Sequence, residues 1–588
     1  MSAPRFLPTT RDEMERLGWS ELDILLVTGD AYVDHPAFGA ALLGRWLTAQ
    51  GWRVGIVAQP RWDGVADVSR LGRPRLFAGA SAGALDSMLA RYTAFRKQRS
   101  EDAYTPGGRA GARPNRAAIV YAGLLKRAFP GLPVVLGGIE ASLRRAAHYD
   151  FWSDSVRRSI LLDAKADLLV YGMGERAISE CARRLAYSGD LRKLHGIPGT
   201  AFAGSAQDVP ADAASLRLPS CEDIQADPKR LLEATLALEA QMRSECWALQ
   251  EHAGRAVVFT PPAAPLSTAE LDGLYALAFT RLPHPSYAQT IPAVEMIRFS
   301  VTAHRGCAGG CSFCALTLHQ GRRIASRSRD SLAAEVATLT RRPDWDGSLT
   351  DVGGPSANMW GARCAADPKT CRRPSCLTPA ICPSFLDDQA GLAELLRALH
   401  SVPGVKHVRV ASGVRHDLAL RSPAYARALA YEFTGGQLKL APEHSSDAVL
   451  ALMRKPAFAR FERFLALFAQ QSRAAGKEQY IVPYLMSAFP GCTDADMRAL
   501  AAWLQVRGWQ PRQAQCFVPA PGTVATAMFY AGIDTQGRRI PVARTDAERL
   551  RQHGILTQGW GRPQPRRTAA AGPPSRARTT PRRSRPRR

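Results

Sequence analysis

The sequence predicts an α/β protein in two parts: a doubly wound parallel sheet over 1–204, then a partial (β/α)6 barrel of TIM type over 291–534. Three observations carry this prediction. Short apolar runs alternate with helical stretches through the first part, as strands buried on both faces do. Six more strand-and-helix repeats follow in the second part. The first of those repeats runs into a cluster of cysteines and the later ones end in Gly, Ser or Glu, at the strand ends where barrels place their chemistry.

In the first part, Leu22 to Thr28 reads as a buried strand ending in the polar turn Gly29-Asp30. A helix follows from Pro36 to Gln50, with Leu42, Leu43, Trp46 and Leu47 on one face. Arg53 to Ala58, Pro133 to Gly138 and Asp167 to Gly172 are further strands, with helices over Ala117–Phe129 and from Glu175. Such a sheet offers its ligand crevice at the carboxyl ends of the strands. The signal weakens over 205–290, which reads as a connecting region. In the second part, Met296 to Val301 is the strand that delivers the cysteines, and a helix follows through Leu332, Val336 and Leu339. Leu349–Val352, Val408–Gly413, Leu438–Glu443, Tyr480–Met486 and Gln513–Val518 supply the other strands, and Thr493 to Asp496 opens a helix as a capping box.

The 588 residues carry a net charge of +25, and from Arg562 onward ten arginines stand without an acid. That tail, within a C-terminal segment over 535–588, is too poor in apolar residues to fold, and it reads either as a solvated extension without a role or as a weak RNA-binding arm. The start of the chain has no apolar leader, and no apolar stretch approaches the ~20 residues that cross a bilayer. Seven of the twelve cysteines fall between Cys307 and Cys382, which favours metal binding in a reducing, cytoplasmic setting away from membranes.

The cysteines divide into two sets. Cys307, Cys311 and Cys314 stand in a C-x3-C-x2-C run, so one short loop can offer three thiolates to an iron–sulfur cluster and leave one iron open. A zinc knuckle or a disulfide cluster is the alternative, although no second C-x2-C pair completes a zinc ribbon. Cys364, Cys371, Cys376 and Cys382 form a second four-thiol set in a proline-interrupted insertion over 355–390, a candidate site for zinc or a second iron–sulfur cluster. Cys181, Cys221, Cys246, Cys492 and Cys516 are isolated.

The Cys307–Cys314 run, with Gly309-Gly310 and Phe313, is similar to the signature of the radical S-adenosylmethionine (SAM) superfamily. Beyond it, Val27–Pro36, Gly137–Arg145 and Ile160–Asp167, and the stretch from the cysteines to about Asp534, resemble the YgiQ-type radical SAM proteins. The resemblance implies a 4Fe–4S cluster on Cys307, Cys311 and Cys314, SAM as cosubstrate, and a reductase or flavodoxin-type electron donor. It implies cofactor contacts from Phe313 and Gly353-Gly354, with Ser412 and Glu443 as strand-end candidates for the SAM carboxylate or ribose. The first domain resembles the cobalamin-binding-like domains in front of many radical SAM enzymes. Its Asp34-His35-Pro36-Ala37-Phe38-Gly39 breaks the D-x-H-x-x-G pattern of a cobalt-ligating histidine. The expected function is reductive cleavage of SAM to a 5′-deoxyadenosyl radical acting on an unidentified substrate, RNA or protein modification among the expectations. The alternatives are a zinc-containing nucleic-acid-binding protein and a cobalamin-dependent radical SAM methyltransferase.

Overall fold

The computed structural model of the chain describes residues 5–367, 371–511 and 514–557; the arginine-rich tail lies outside them. Five parallel strands, Val54–Ala58, Ile24–Thr28, Phe77–Ser81, Val134–Gly137 and Leu168–Val170 in spatial order, form the heart of the first sheet. Their side chains alternate between two cores. Leu25, Val27, Ala78, Val134 and Leu136 join one, while Ile24, Leu26, Phe77, Val135 and Leu168 join the other. Burial on both faces follows from helices on both sides, and it explains why these strands are continuous apolar runs. Glu140, fully buried after the Val134–Gly137 strand, accepts hydrogen bonds from Ser87 N at 2.7 Å, Ser87 Oγ at 2.5 Å and Ala118 N at 3.0 Å.

The sheet does not stop where the sequence signal fades. Residues 205–290, read from sequence as a connecting region, contribute the strands Ser215–Arg217, Trp247–His252 and Arg255–Phe259, which with Thr200–Gly204 extend the sheet to nine strands. The central step is a two-residue hairpin whose Ala253 and Gly254 both have positive φ, the twist that antiparallel partners favour. Ser215–Arg217 is an edge strand with largely exposed side chains, so it carries no apolar signature.

The second domain is a partial barrel. Parallel pairing joins Ser300–Thr302 to Asp351–Gly353, Ser348–Leu349 to His407–Val408, and Gln437–Glu443 to Tyr480–Ser487 and Ala514–Cys516. A parallel bridge from Val414 to Leu440 closes the gap between the third and fourth strands. The expected strand over Met296–Val301 is split, because Pro292–Ile297 is helical and the strand begins at Ser300. Pro292 sits at the first helical turn, where its fixed φ starts a helix, and an apolar run alone does not distinguish the two states. The barrel also runs past the predicted end at 534. Helix Asp546–Thr557 closes over the last strands, with Arg549 Nη2 donating to Phe517 O and, at 3.0 Å, to Ala94 O in the first domain. Gln552 Nε2 donates to Cys492 O at 3.1 Å. None of the described helices is long and apolar enough to cross a membrane.

The two domains meet at a buried ion pair. Arg305, two residues before Cys307, places Nη1 2.5 Å from Oε1 of Glu175, which opens the helix after the fifth strand. Removing one partner of a buried pair leaves an uncompensated charge, which costs about 3–5 kcal/mol. Glu175→Ala is therefore expected to lower unfolding stability by about that amount in urea titration; a loss under about 1 kcal/mol contradicts this role.

Candidate active site

The first barrel strand ends at Thr302, and the chain then carries His304-Arg305 into a short antiparallel pair with Ala325-Ser326. The cysteine loop lies between these two arms and is fixed from four directions. Cys307 N donates to Gly321 O at 3.2 Å, and Cys314 N donates to Cys311 O at 3.1 Å. Ser312 donates through N to Met453 O at 3.1 Å and through Oγ to Leu452 O at 2.7 Å. Its own carbonyl accepts from Ala525 N at 2.9 Å, tying the loop to the helix after the last strand. Gly310, at φ 61°, packs so tightly under the Pro374 carbonyl that a Cβ there would overlap it.

This scaffold turns the thiols toward each other. A Cβ at Gly309 would stand 3.4 Å from Cys307 Sγ, 3.7 Å from Cys311 Sγ and 3.2 Å from Arg415 Nη1. Burial, then the neighbouring Cys311 and Cys307 sulfurs, push the Cys314 thiol up to about 12; burial and Cys311 raise Cys307 as well. Such a set is costly as free thiolates and favourable once a cationic centre binds it. Arg415 supplies part of the compensation, with Nη1 donating to Cys311 Sγ at 3.9 Å. Its guanidinium is itself held by Asp417, at 2.9 and 2.7 Å, and both side chains are buried. Asn358 fixes the backbone beneath, accepting from Arg415 N at 2.8 Å and donating to Arg415 O at 3.0 Å. Lys455 adds a second positive charge near Cys307 and lies 3.5 Å from Glu443 Oε1. Arg415, Asp417, Asn358 and Lys455 escape sequence reasoning because nothing in their local pattern separates them from strand-end polar residues.

Gly353, Gly354 and Ser412 line a cavity of about 470 Å³ between the domains. Its other wall is the carboxyl edge of the first sheet, through Thr28, Ser81, Gly137 and Gly172. Gly354 backs directly onto His304, and any Cβ would overlap the His304 carbonyl and ring. The Ser412 hydroxyl donates to Asp351, whose other oxygen accepts from Ala411 N at 2.8 Å and Ser412 N at 2.9 Å. Ser412 thus braces the third strand against the second. Phe313 and Glu443 do not line this cavity among the described residues: Phe313 meets Phe489 edge-on at 6.1 Å, and Glu443 reaches the thiols only through Lys455. His35 is buried away from the cavity, with Ala37 N donating to Nδ1 at 3.0 Å and Arg281 Nη1 3.1 Å from Nε2. Burial and the nearby Arg281 and Arg342 hold it far below the usual histidine range, and both ring nitrogens already face hydrogen-bond donors.

The second cysteine set lies on the other side of the loop. Cys364, Cys371 and Cys376 line a separate cavity of about 430 Å³, while Cys382 packs beside Cys376 and Cys307 in a small apolar cluster. Among the described residues, no group of three His, Cys, Asp or Glu side chains gathers tightly enough for a single metal ion, in this set or in the Cys307–Cys314 loop. Of the isolated cysteines, Cys181, Cys221, Cys492 and Cys516 are buried.

Comparison with known proteins agrees with this geometry. The radical SAM N-terminal family model matches residues 6–300. A UPF0313 protein of Geobacter sulfurreducens is 51% identical over 96% of this chain and 93% of its own length. A UPF0313 protein of Thermotoga neapolitana is 47% identical over 92% of this chain and 96% of its own. Among solved structures, the radical SAM methyltransferase TsrM from Kitasatospora setae, bound to tryptophan and a SAM analogue, shares the fold at TM-score 0.50 and 14% identity, over 91% of this chain and 88% of TsrM. The fold and the three-cysteine loop define a radical SAM enzyme, a class whose cofactors are a 4Fe–4S cluster and SAM. Within that class, the chain belongs to the UPF0313, or YgiQ-type, family.

Four histidines around the site are held neutral by burial: His304, His319 and His444 at about 4, and His416 at about 3. Their folded pKa values lie below the ~6.5 of an unfolded chain, so their contribution is complete above that pH and is lost on acidification toward the folded values. The urea midpoint is expected to fall between pH 7 and pH 5, and His304→Gln to flatten the slope. An unchanged slope in that variant contradicts the assignment.

Proposed function

We propose that this enzyme cleaves SAM reductively and directs the resulting 5′-deoxyadenosyl radical at an organic substrate held between its two domains. The observation that carries the reading is the placement of Cys307 and Cys311 beside the Arg415 guanidinium, with Cys314 close enough that both neighbouring sulfurs raise its thiol. The donor set suits a cluster: a loop that offers three thiolates leaves one iron open. When bound, the cluster supplies that iron for the amino and carboxylate groups of SAM, and one electron that breaks a sulfonium C–S bond to give methionine and the radical.

The chain's own residues do the rest. Arg415, locked by Asp417, offsets negative charge at Cys311 and keeps it in place. Gly353 and Gly354 present backbone rather than side chain to the cavity, so a ligand can approach the strand end closely. The domain contact through Arg305 and Glu175 closes the site on one side and excludes water from a reactive carbon radical. The electron comes from a one-electron donor of the reductase or flavodoxin type. The position of the 470 Å³ cavity, at the carboxyl edge of the parallel sheet and facing the barrel mouth, favours a second reading in which a corrinoid occupies it.

Two measurements check these statements. With SAM and dithionite, the anaerobically reconstituted chain is expected to form 5′-deoxyadenosine, and Cys311→Ala to form only the amount of a protein-free control; persistence in the variant refutes the reading. Hydroxocobalamin is expected to remain with the chain through gel filtration if the corrinoid reading holds, and complete separation refutes that reading alone.

A further inference from the structure

The 430 Å³ cavity has no part in the proposed radical chemistry, yet its walls are chemically unusual. Cys364, Cys371 and Cys376 line it together with Arg243, Arg322, Arg323 and Arg363. Arg322 Nη2 donates to Cys376 Sγ at 3.2 Å. Arg322 Nη1 and Arg243 Nη1 both donate to Arg373 O, at 2.7 and 2.8 Å, so two guanidiniums share one carbonyl, with Glu239 the carboxylate near Arg243. The Nε groups of both arginines are buried and lack a hydrogen-bond partner among the described residues. Two partly buried guanidiniums with unpartnered Nε groups fit an anionic occupant of the cavity, whose walls also carry Glu175 and Glu245.

We propose that Cys364, Cys371, Cys376 and Cys382 hold a second iron–sulfur cluster at the wall of this cavity, with Cys382 reaching it from beside Cys376. Thiolate ligation makes such a cluster anionic, which answers the charge of Arg322 and Arg243. A cluster also explains the spread of the thiols. Cys364, Cys371 and Cys376 line the cavity while Cys382 stands beside Cys376, and the ligands of a cluster each address a different iron. The chain path supports the same set: Arg363-Cys364 pairs with Phe385-Leu386, and Cys382 N donates to Cys376 O at 2.7 Å, gathering both ends of the insertion around the cavity.

The site is built into the loop that holds the first three cysteines. Cys376 N donates to Ala308 O at 3.1 Å, Ser375 Oγ donates to Gly309 O at 2.6 Å, and the Pro374 carbonyl covers Gly310. Every residue between Cys307 and Cys311 therefore touches the segment ending at Cys376, and the two metal groups are neighbours.

Anaerobic reconstitution of the full chain with iron and sulfide tests this, with metal and sulfide counted per folded chain and the clusters read by Mössbauer and electron paramagnetic resonance spectra. The variant with Cys307, Cys311 and Cys314 all changed to Ala is expected to keep half of the wild-type iron and sulfide. Cys371→Ser with Cys376→Ser is expected to keep the other half, including the signal that changes when SAM is added. Wild-type chain that holds one cluster's worth of iron, a triple variant that folds without iron, or one zinc per chain in place of the second half overturns the proposal. Loss of SAM sensitivity with the residual iron retained refutes the radical reading and leaves this one standing.

Discussion

Three thiols held within one buried loop repel any excess negative charge they acquire, and that constraint organises the surrounding structure. The loop cannot relax outward, because Ser312 is tied to Leu452 and Met453 on one side and to Ala525 on another. It cannot collapse inward, because Gly310 already touches the Pro374 carbonyl. Charge has to be balanced from nearby. Arg415 and Lys455 are the cations that do so, and each is held by its own carboxylate, Asp417 or Glu443. The cost of burying this polar network is offset once an iron–sulfur cluster binds the thiolates.

The same loop is the meeting point of three units. Arg305 on its entering arm binds Glu175 of the first domain, and His319 on its following helix lies 2.9 Å from Ser142 Oγ of that domain. The cysteine-rich insertion covers its underside through Ser375 and Cys376. One cavity opens toward the parallel sheet and another toward the insertion, with His319 and Gln320 lining both. A ligand in either space would be felt at the thiols through elements a few residues long, without a long-range pathway.

Much of this was legible in the sequence, for identifiable reasons. Strands buried on both faces carry a strong apolar signal, so four of the five parallel strands of the first sheet and most barrel strands stand out; Phe77–Ser81, mostly small residues, does not. The C-x3-C-x2-C spacing is a local property of the chain and needs no tertiary knowledge. Edge strands such as Ser215–Arg217 carry no such signal, and the hairpin at Ala253-Gly254 is recognisable only from its φ angles. Pro292 turned an expected strand into a helix. The network of Asn358, Arg415 and Asp417 was invisible because its members are brought together by strand pairing rather than by spacing. Ser412 is on the expected cavity, but its hydroxyl is taken by Asp351, a partner that only the register of neighbouring strands defines.

The proposed chemistry needs one iron that lacks a protein ligand and accepts SAM in its place. Electron–nuclear double resonance on the reduced, reconstituted chain with SAM labelled at its amino nitrogen and carboxylate addresses this directly. Hyperfine coupling from both labels to the cluster spin is the result the geometry predicts. A reduced cluster whose spectrum shows no coupling to either label, at SAM concentrations that saturate binding, would contradict it.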